Sequence, residues 1–135
     1  MYRGTTSLQN WITGMMFGKI QLPYPRCSGC EVHQGFHEAE QAVIKDVIAE
    51  VKRLHSVYPS YQVVVTGHNI GAALALLTAV DIKVAGYNVV SYNTGCPRVG
   101  DENFAAYVKT ELPDIHRIVH DNDIIPHLPL EVINF

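Results

Sequence analysis

Residues Tyr61 to Ala75, YQVVVTGHNIGAALA, constrain the chain more than any other stretch: a β-branched run breaks at a glycine and resumes at once as a run of small apolar residues. Val63, Val64 and Val65 favour extended backbone and form a buried apolar run. Ile70 to Ala85 is apolar nearly all round, which suits a helix packed inside a sheet protein. Strand, tight turn and helix therefore follow one another without a linker. Gly67 and Gly71, on either side of the turn, let backbone pass close to backbone.

The flanking sequence repeats this alternation. From Phe36 to Tyr58 the apolar residues Phe36, Ala39, Val43, Val47, Val51 and Leu54 recur at three- and four-residue steps, which predicts one long amphipathic helix ended by Pro59. After the Tyr61 to Thr66 strand and the Ile70 helix come a strand at Tyr87 to Asn93, a helix at Asn103 to Glu111 with Asp101 as N-cap, and a strand at Ile115 to Val119. Alternating strands and helices specify a parallel sheet with right-handed crossovers. Leu22 to Gly35, rich in proline and glycine, reads as loop. At 135 residues the chain forms at most one domain. Its net charge of −3 gives no electrostatic footprint for nucleic acid or an anionic membrane. No apolar run reaches the length of about 18 residues that a membrane span needs, and Trp11 to Ile20 is too interrupted for a signal-peptide core.

Several motifs carry chemistry. Gly67-His68-Asn69-Ile70-Gly71 has the frame of the G-x-S-x-G nucleophile elbow, with Asn69 at the serine position. Cys27 and Cys30 form a C-x-x-C among prolines. A redox pair would instead open a helix after a strand, and Cys27, Cys30, His33 and His37 do not match zinc-finger spacing, so a structural bridge or two free thiols remain. Gly95 to Gly100, GCPRVG, is a turn after a strand, and Cys96 reads as a buried free thiol. His120 to Pro129, HDNDIIPHLP, leaves the carboxyl end of a strand, where open α/β sheets place their ligands. Near the start, Leu8, Trp11, Ile12 and Met15 give Ser7 to Met16 one apolar helical side, either a core-facing helix or a surface one. Thr5 just before it is a good helix N-cap.

Taken together, YRGTTSLQNW, TGHNIGAALALLTAVDI, GCPRVG and HDNDIIPHLP, in this order, resemble the fungal-type (class 3) lipases, which are secreted α/β-hydrolases that cleave acylglycerols. The resemblance covers almost the whole chain. It implies an α/β-hydrolase-type parallel sheet with helices on both faces, truncated at both ends, within one partial domain over residues 1–135. It places Asn69 at the nucleophile position, Asp123 as the triad acid, Thr5 and the Ile70 N–H in the oxyanion hole, and Trp11 on an amphipathic lid that opens at an oil–water interface. It also implies a Cys27–Cys30 disulfide, an extracellular location, an acyl-ester lipid substrate, and neither cofactor nor metal.

Two departures bear on mechanism. The Asn69 amide cannot be activated by a base as a hydroxyl can. The triad order is nucleophile, acid, histidine, and the one histidine after Asp123 is His127, in the same loop. The family's histidine follows an aromatic beyond that loop, so the expectation here is a chain without it. Two functions follow: a lipase-like triacylglycerol hydrolase domain that is catalytically impaired, or a non-catalytic relative that binds lipid or a partner.

Overall fold

A computed structural model describes residues 1–2 and 18–129. In chain order the elements are strands β1 (Lys19–Gln21) and β2 (Glu31–His33), helices α1 (Gln34–Gln41) and α2 (Ile44–Val57), strand β3 (Val63–His68), helix α3 (Ile70–Val84), strand β4 (Val89–Thr94), helix α4 (Glu102–Glu111), strand β5 (Ile115–Ile118) and a single 3-10 turn at Ile125–His127. Strands β3, β4 and β5 lie side by side and all parallel. On the other edge of β3 the Tyr2 N–H donates to the Thr66 carbonyl over 3.0 Å, so the start of the chain joins the same sheet.

The pairing register explains the layering. Val65 lies opposite Ser91, and Ser91 opposite Ile115. Paired residues share a face, so Val65, Ser91 and Ile115 look the same way. Val65 and Ser91 are buried, whereas Val64 and Tyr92 on the opposite face are exposed, so the run expected to be buried throughout is buried fully at Val65 alone, because successive strand residues alternate between the two faces. Helix α3 packs on the buried face. Its Ala72, Ala73 and Ala75 let the backbone come close to the strands, while Leu77 and Ile82 fill the interior. Burying a side chain of that size stabilises the fold by roughly 1.5–3 kcal/mol. Phe104 and Val108 of α4 extend the same core.

Two further expectations are corrected. The predicted single helix over Phe36 to Tyr58 is two helices, with Val43 at the junction outside helical geometry at φ −127° and ψ −15°. The burial of Glu40 in α1, whose carboxyl accepts from Thr78 of α3, and of Ile44 at the start of α2 overrides the regular spacing, and a β-branched residue at the junction has little helix preference to oppose the break. Leu22 to Gly35 is also more ordered than expected. It includes β2, which pairs antiparallel with β1, and the first turn of α1. Strands of three residues are too short to leave a readable alternation. Cys27 and Cys30 are joined by a disulfide within this hairpin, with their Cα atoms 5.7 Å apart.

Candidate active site

The turn between β3 and α3 is an elbow in the full geometric sense. Asn69 sits at φ 57° and ψ −125°, a sparsely populated conformation that costs on the order of 1–3 kcal/mol. Its surroundings hold it there. The Asn69 N–H donates to the Thr94 carbonyl over 3.0 Å, and the Asn69 carbonyl accepts from Ala72 at 2.9 Å. Gly67 makes the sharp turn possible, since a Cβ built on it would lie 2.0 Å from the Gly71 carbonyl oxygen. The carboxamide of Asn69 folds back on the helix start, where the Ile70 N–H donates to Asn69 Oδ1 over 2.7 Å.

Asp123 approaches the same place from the loop after β5. Its Oδ1 accepts from the Ile125 N–H at 3.0 Å, and its own N–H donates to the His120 carbonyl at 2.9 Å. Those two bonds fix the carboxylate. Oδ2 is turned toward the elbow: a Cβ on Gly95, which has φ 55°, would meet Asp123 Oδ2 at 2.8 Å and His68 Nε2 at 3.7 Å. The residue after β4 must therefore be glycine both for its backbone and for the room the carboxylate takes. The structure thus brings Asn69, Ile70, His68 and Asp123 to the carboxyl ends of β3 and β4. His127 does not join them. It is exposed in the 3-10 turn, and its N–H is spent on the Ile124 carbonyl.

Thr5, offered for the oxyanion hole, and Trp11, offered for the lid, lie outside the described residues. The Cys27–Cys30 bridge removes the two thiolates that a zinc reading of Cys27, Cys30, His33 and His37 would need.

Two arginines that sequence reasoning passed over position the loop that carries Asp123. Arg117 Nη2 donates to the Cys96 carbonyl at 2.8 Å and to the Pro126 carbonyl at 3.0 Å. Arg98 Nη1 donates to the Pro129 carbonyl at 2.8 Å. Both tie the turn after β4 to the segment beyond Asp123. Arg98 lies in GCPRVG, whose proline and glycines already explain a turn, and Arg117 looks like an ordinary strand residue. The three acceptors named are backbone carbonyls, which no pattern of residue types marks.

Comparison with known proteins gives this geometry a family. A model described as "Lipase (class 3)" matches residues 1–133. A lipase of Rhizomucor miehei is 39% identical over an alignment that takes in all of this chain and 38% of the relative. A secreted mono- and diacylglycerol lipase of Fusarium solani is 35% identical across 98% of this chain and 39% of its own length. Among solved structures, lipase II from Rhizopus niveus superposes with a TM-score of 0.89 at 34% identity, covering 98% of this chain and 51% of that one. A triacylglycerol lipase described as having a serine-protease triad at its catalytic centre superposes with a TM-score of 0.87 at 39% identity, over 96% of this chain and 50% of its own. The chain thus spans about two-fifths of the length of these curated relatives. With its parallel α/β-hydrolase-type sheet and its strand–elbow–helix, it belongs to the class 3 lipase family.

Proposed function

We propose that this chain is the elbow-bearing part of a secreted lipase-like acyl-ester hydrolase, of the kind that acts on acylglycerols at an oil–water interface, and that Asn69 disables ester cleavage in it. One observation carries the reading: the side chain on the elbow is a carboxamide whose oxygen accepts the Ile70 N–H. In a serine hydrolase of this geometry the elbow side chain attacks the acyl carbon, and the N–H of the following residue stabilises the oxyanion. Asn69 removes both functions. It offers no nucleophile, and its own oxygen sits where the oxyanion would bind. Asp123, with Oδ1 held and Oδ2 facing the elbow, supports the role of triad acid, and Thr5 is the proposed second oxyanion donor. The relatives' names support an extracellular location. The same Asn69 favours the alternative, a non-catalytic protein that keeps the site to bind lipid or a partner.

Losing the nucleophile of a serine hydrolase costs about a millionfold in turnover, near 8 kcal/mol, and losing the histidine costs about as much because the triad acts as a unit. The chain should therefore not turn over p-nitrophenyl butyrate above buffer, and a fluorophosphonate should not label it. Asn69→Ser alone should gain neither, because among the described residues no histidine is hydrogen-bonded to Asp123 Oδ2. Asn69→Ser in a longer form that supplies such a histidine should gain both. Silence of that form would favour the lipid-binding alternative. Covalent labelling of the unmodified chain would overturn the assignment of Asn69.

A further inference from the structure

On the far side of the turn after β4 from the elbow lies a cavity of ≈ 410 Å³, bounded by α3, α4 and the ends of β4 and β5. That size lies within the roughly 300–1,000 Å³ usual for small-ligand sites. Its walls are mostly apolar: Leu76, Val99, Phe104, Val108, Leu112 and Ile115. Three cations, Arg98, Lys109 and Arg117, line it as well, and no aspartate or glutamate does. Lys109 and Arg117 are exposed, and Arg98 is half-buried with its Nη1 donating to the Pro129 carbonyl. The guanidinium of Arg117 donates to two backbone carbonyls, which orient it without neutralising it. None of Gly67 to Gly71 and not Asp123 contributes to the lining, so the cavity is distinct from the elbow, although Arg98 and Arg117 both line it and tie down the Asp123 loop.

Apolar walls under a cationic edge select a ligand with an apolar body and one anionic end. The walls are aliphatic apart from Phe104, which suits a flexible chain better than a flat ring system, and a planar guanidinium matches a carboxylate well. We propose that this cavity binds a long-chain carboxylate, with its chain between α3 and α4 and its carboxylate against Arg117 and Lys109. Binding there does not depend on whether the elbow supports chemistry, since none of Gly67 to Gly71 lines the cavity.

The test is calorimetric titration with dodecanoate below its micellar concentration, beside 1-dodecanol and dodecyl phosphate. Dodecanoate should bind one to one and more tightly than the alcohol. Ala105→Trp, at an exposed lining position on α4, should leave the melting curve in place and weaken dodecanoate by about tenfold or more by filling the cavity. Lys109→Glu, also on the exposed side of α4, should weaken dodecanoate severalfold and leave dodecanol unchanged, on the order expected for one charge at a solvated rim. Arg117 is left intact because it also holds two loops together. Equal affinity for dodecanol and dodecanoate, or tighter binding of dodecyl phosphate, would overturn the carboxylate assignment. Dodecanoate binding untouched by Ala105→Trp would place the ligand elsewhere, and the site would fall.

Discussion

At Asn69 the backbone is strained and its neighbours hold it. Its φ of 57° pairs with a ψ of −125°, outside the left-handed helical well that asparagine favours, while its Oδ1 satisfies the first orphan N–H of α3. The turn is carried by Gly67 and the bonds to Thr94 and Ala72. That makes Gly67 the sharper structural test. Gly67→Ala puts a methyl 2.0 Å from the Gly71 carbonyl oxygen and 2.7 Å from the Ala72 nitrogen. Both contacts are with backbone, which cannot swing away as a side chain could, so β3 and α3 must part. The expected loss is about 3 kcal/mol or more, a fall in Tm on the order of 10 °C, measurable by calorimetry. A Tm within a degree of the parent would mean that the turn has more room than its geometry allows.

At the scale of elements, the longest patterns were legible and the shortest were not. The Val63 to Val65 run, the apolar Ile70 helix and the Asp101 cap give β3, α3 and α4 close to their observed bounds, because each is set by its own residues. The β1–β2 hairpin escapes such reading because its strands are held from a distance. The Glu31 N–H donates to Asp101 Oδ1 at 3.2 Å, and the Asp101 N–H returns a bond to the Glu31 carbonyl at 3.0 Å. Asp101 therefore has two tasks, since the same Oδ1 accepts from the Phe104 N–H at 2.8 Å to cap α4. Losing a cap costs typically about 1 kcal/mol, and stranding a partly buried N–H adds about as much again. Asp101→Ala should cost roughly 2 kcal/mol in denaturant unfolding, with Asp101→Asn recovering most of it because its amide oxygen accepts both bonds. An equal loss in both variants would show that charge rather than hydrogen bonding holds the junction. The candidate site was legible as residue types, Asn69 and Asp123. The rotamer that puts Asn69 on the Ile70 N–H, the Arg117 clamp and the cavity beside α4 depend on packing between distant segments, and no local pattern records them.

At the scale of the whole molecule, four segments meet at a buried acidic cluster. Glu40 of α1 is fully buried. Thr78 Oγ1 donates to its Oε1 at 3.4 Å, and Gln41 Nε2 donates to its Oε2 at 3.0 Å and to Asp81 Oδ2 at 3.4 Å. Tyr2 Oη and Thr78 Oγ1 share a bond of 2.8 Å that brings in the first strand position, and Tyr24 from the hairpin bonds Asp81. Burial, with the Asp81 charge second, pushes the Glu40 carboxyl up to about 7, and burial raises Asp81 as well, opposed by the bond from Tyr24 and the nearby His37. The sign follows from linkage. Below about pH 4.5 Glu40 is protonated folded and unfolded, so its contribution is fully present. As pH rises past that value the unfolded chain ionises while the folded one resists, and stability falls until the folded carboxyl itself titrates near 7. Exposed Glu50, lowered by its bond to Arg53, has the opposite sign and little weight at the surface. The parent should therefore melt several degrees lower at pH 8 than at pH 5, a difference on the order of 5 °C. Glu40→Gln keeps the donor and acceptor without the charge. It should match the parent near pH 5, melt higher at pH 8, and flatten the profile between, as followed by circular dichroism across a pH series. Parallel profiles for parent and Glu40→Gln would show that the pH dependence arises elsewhere, and that this junction of α1, α3, the hairpin and Tyr2 tolerates the charge in place.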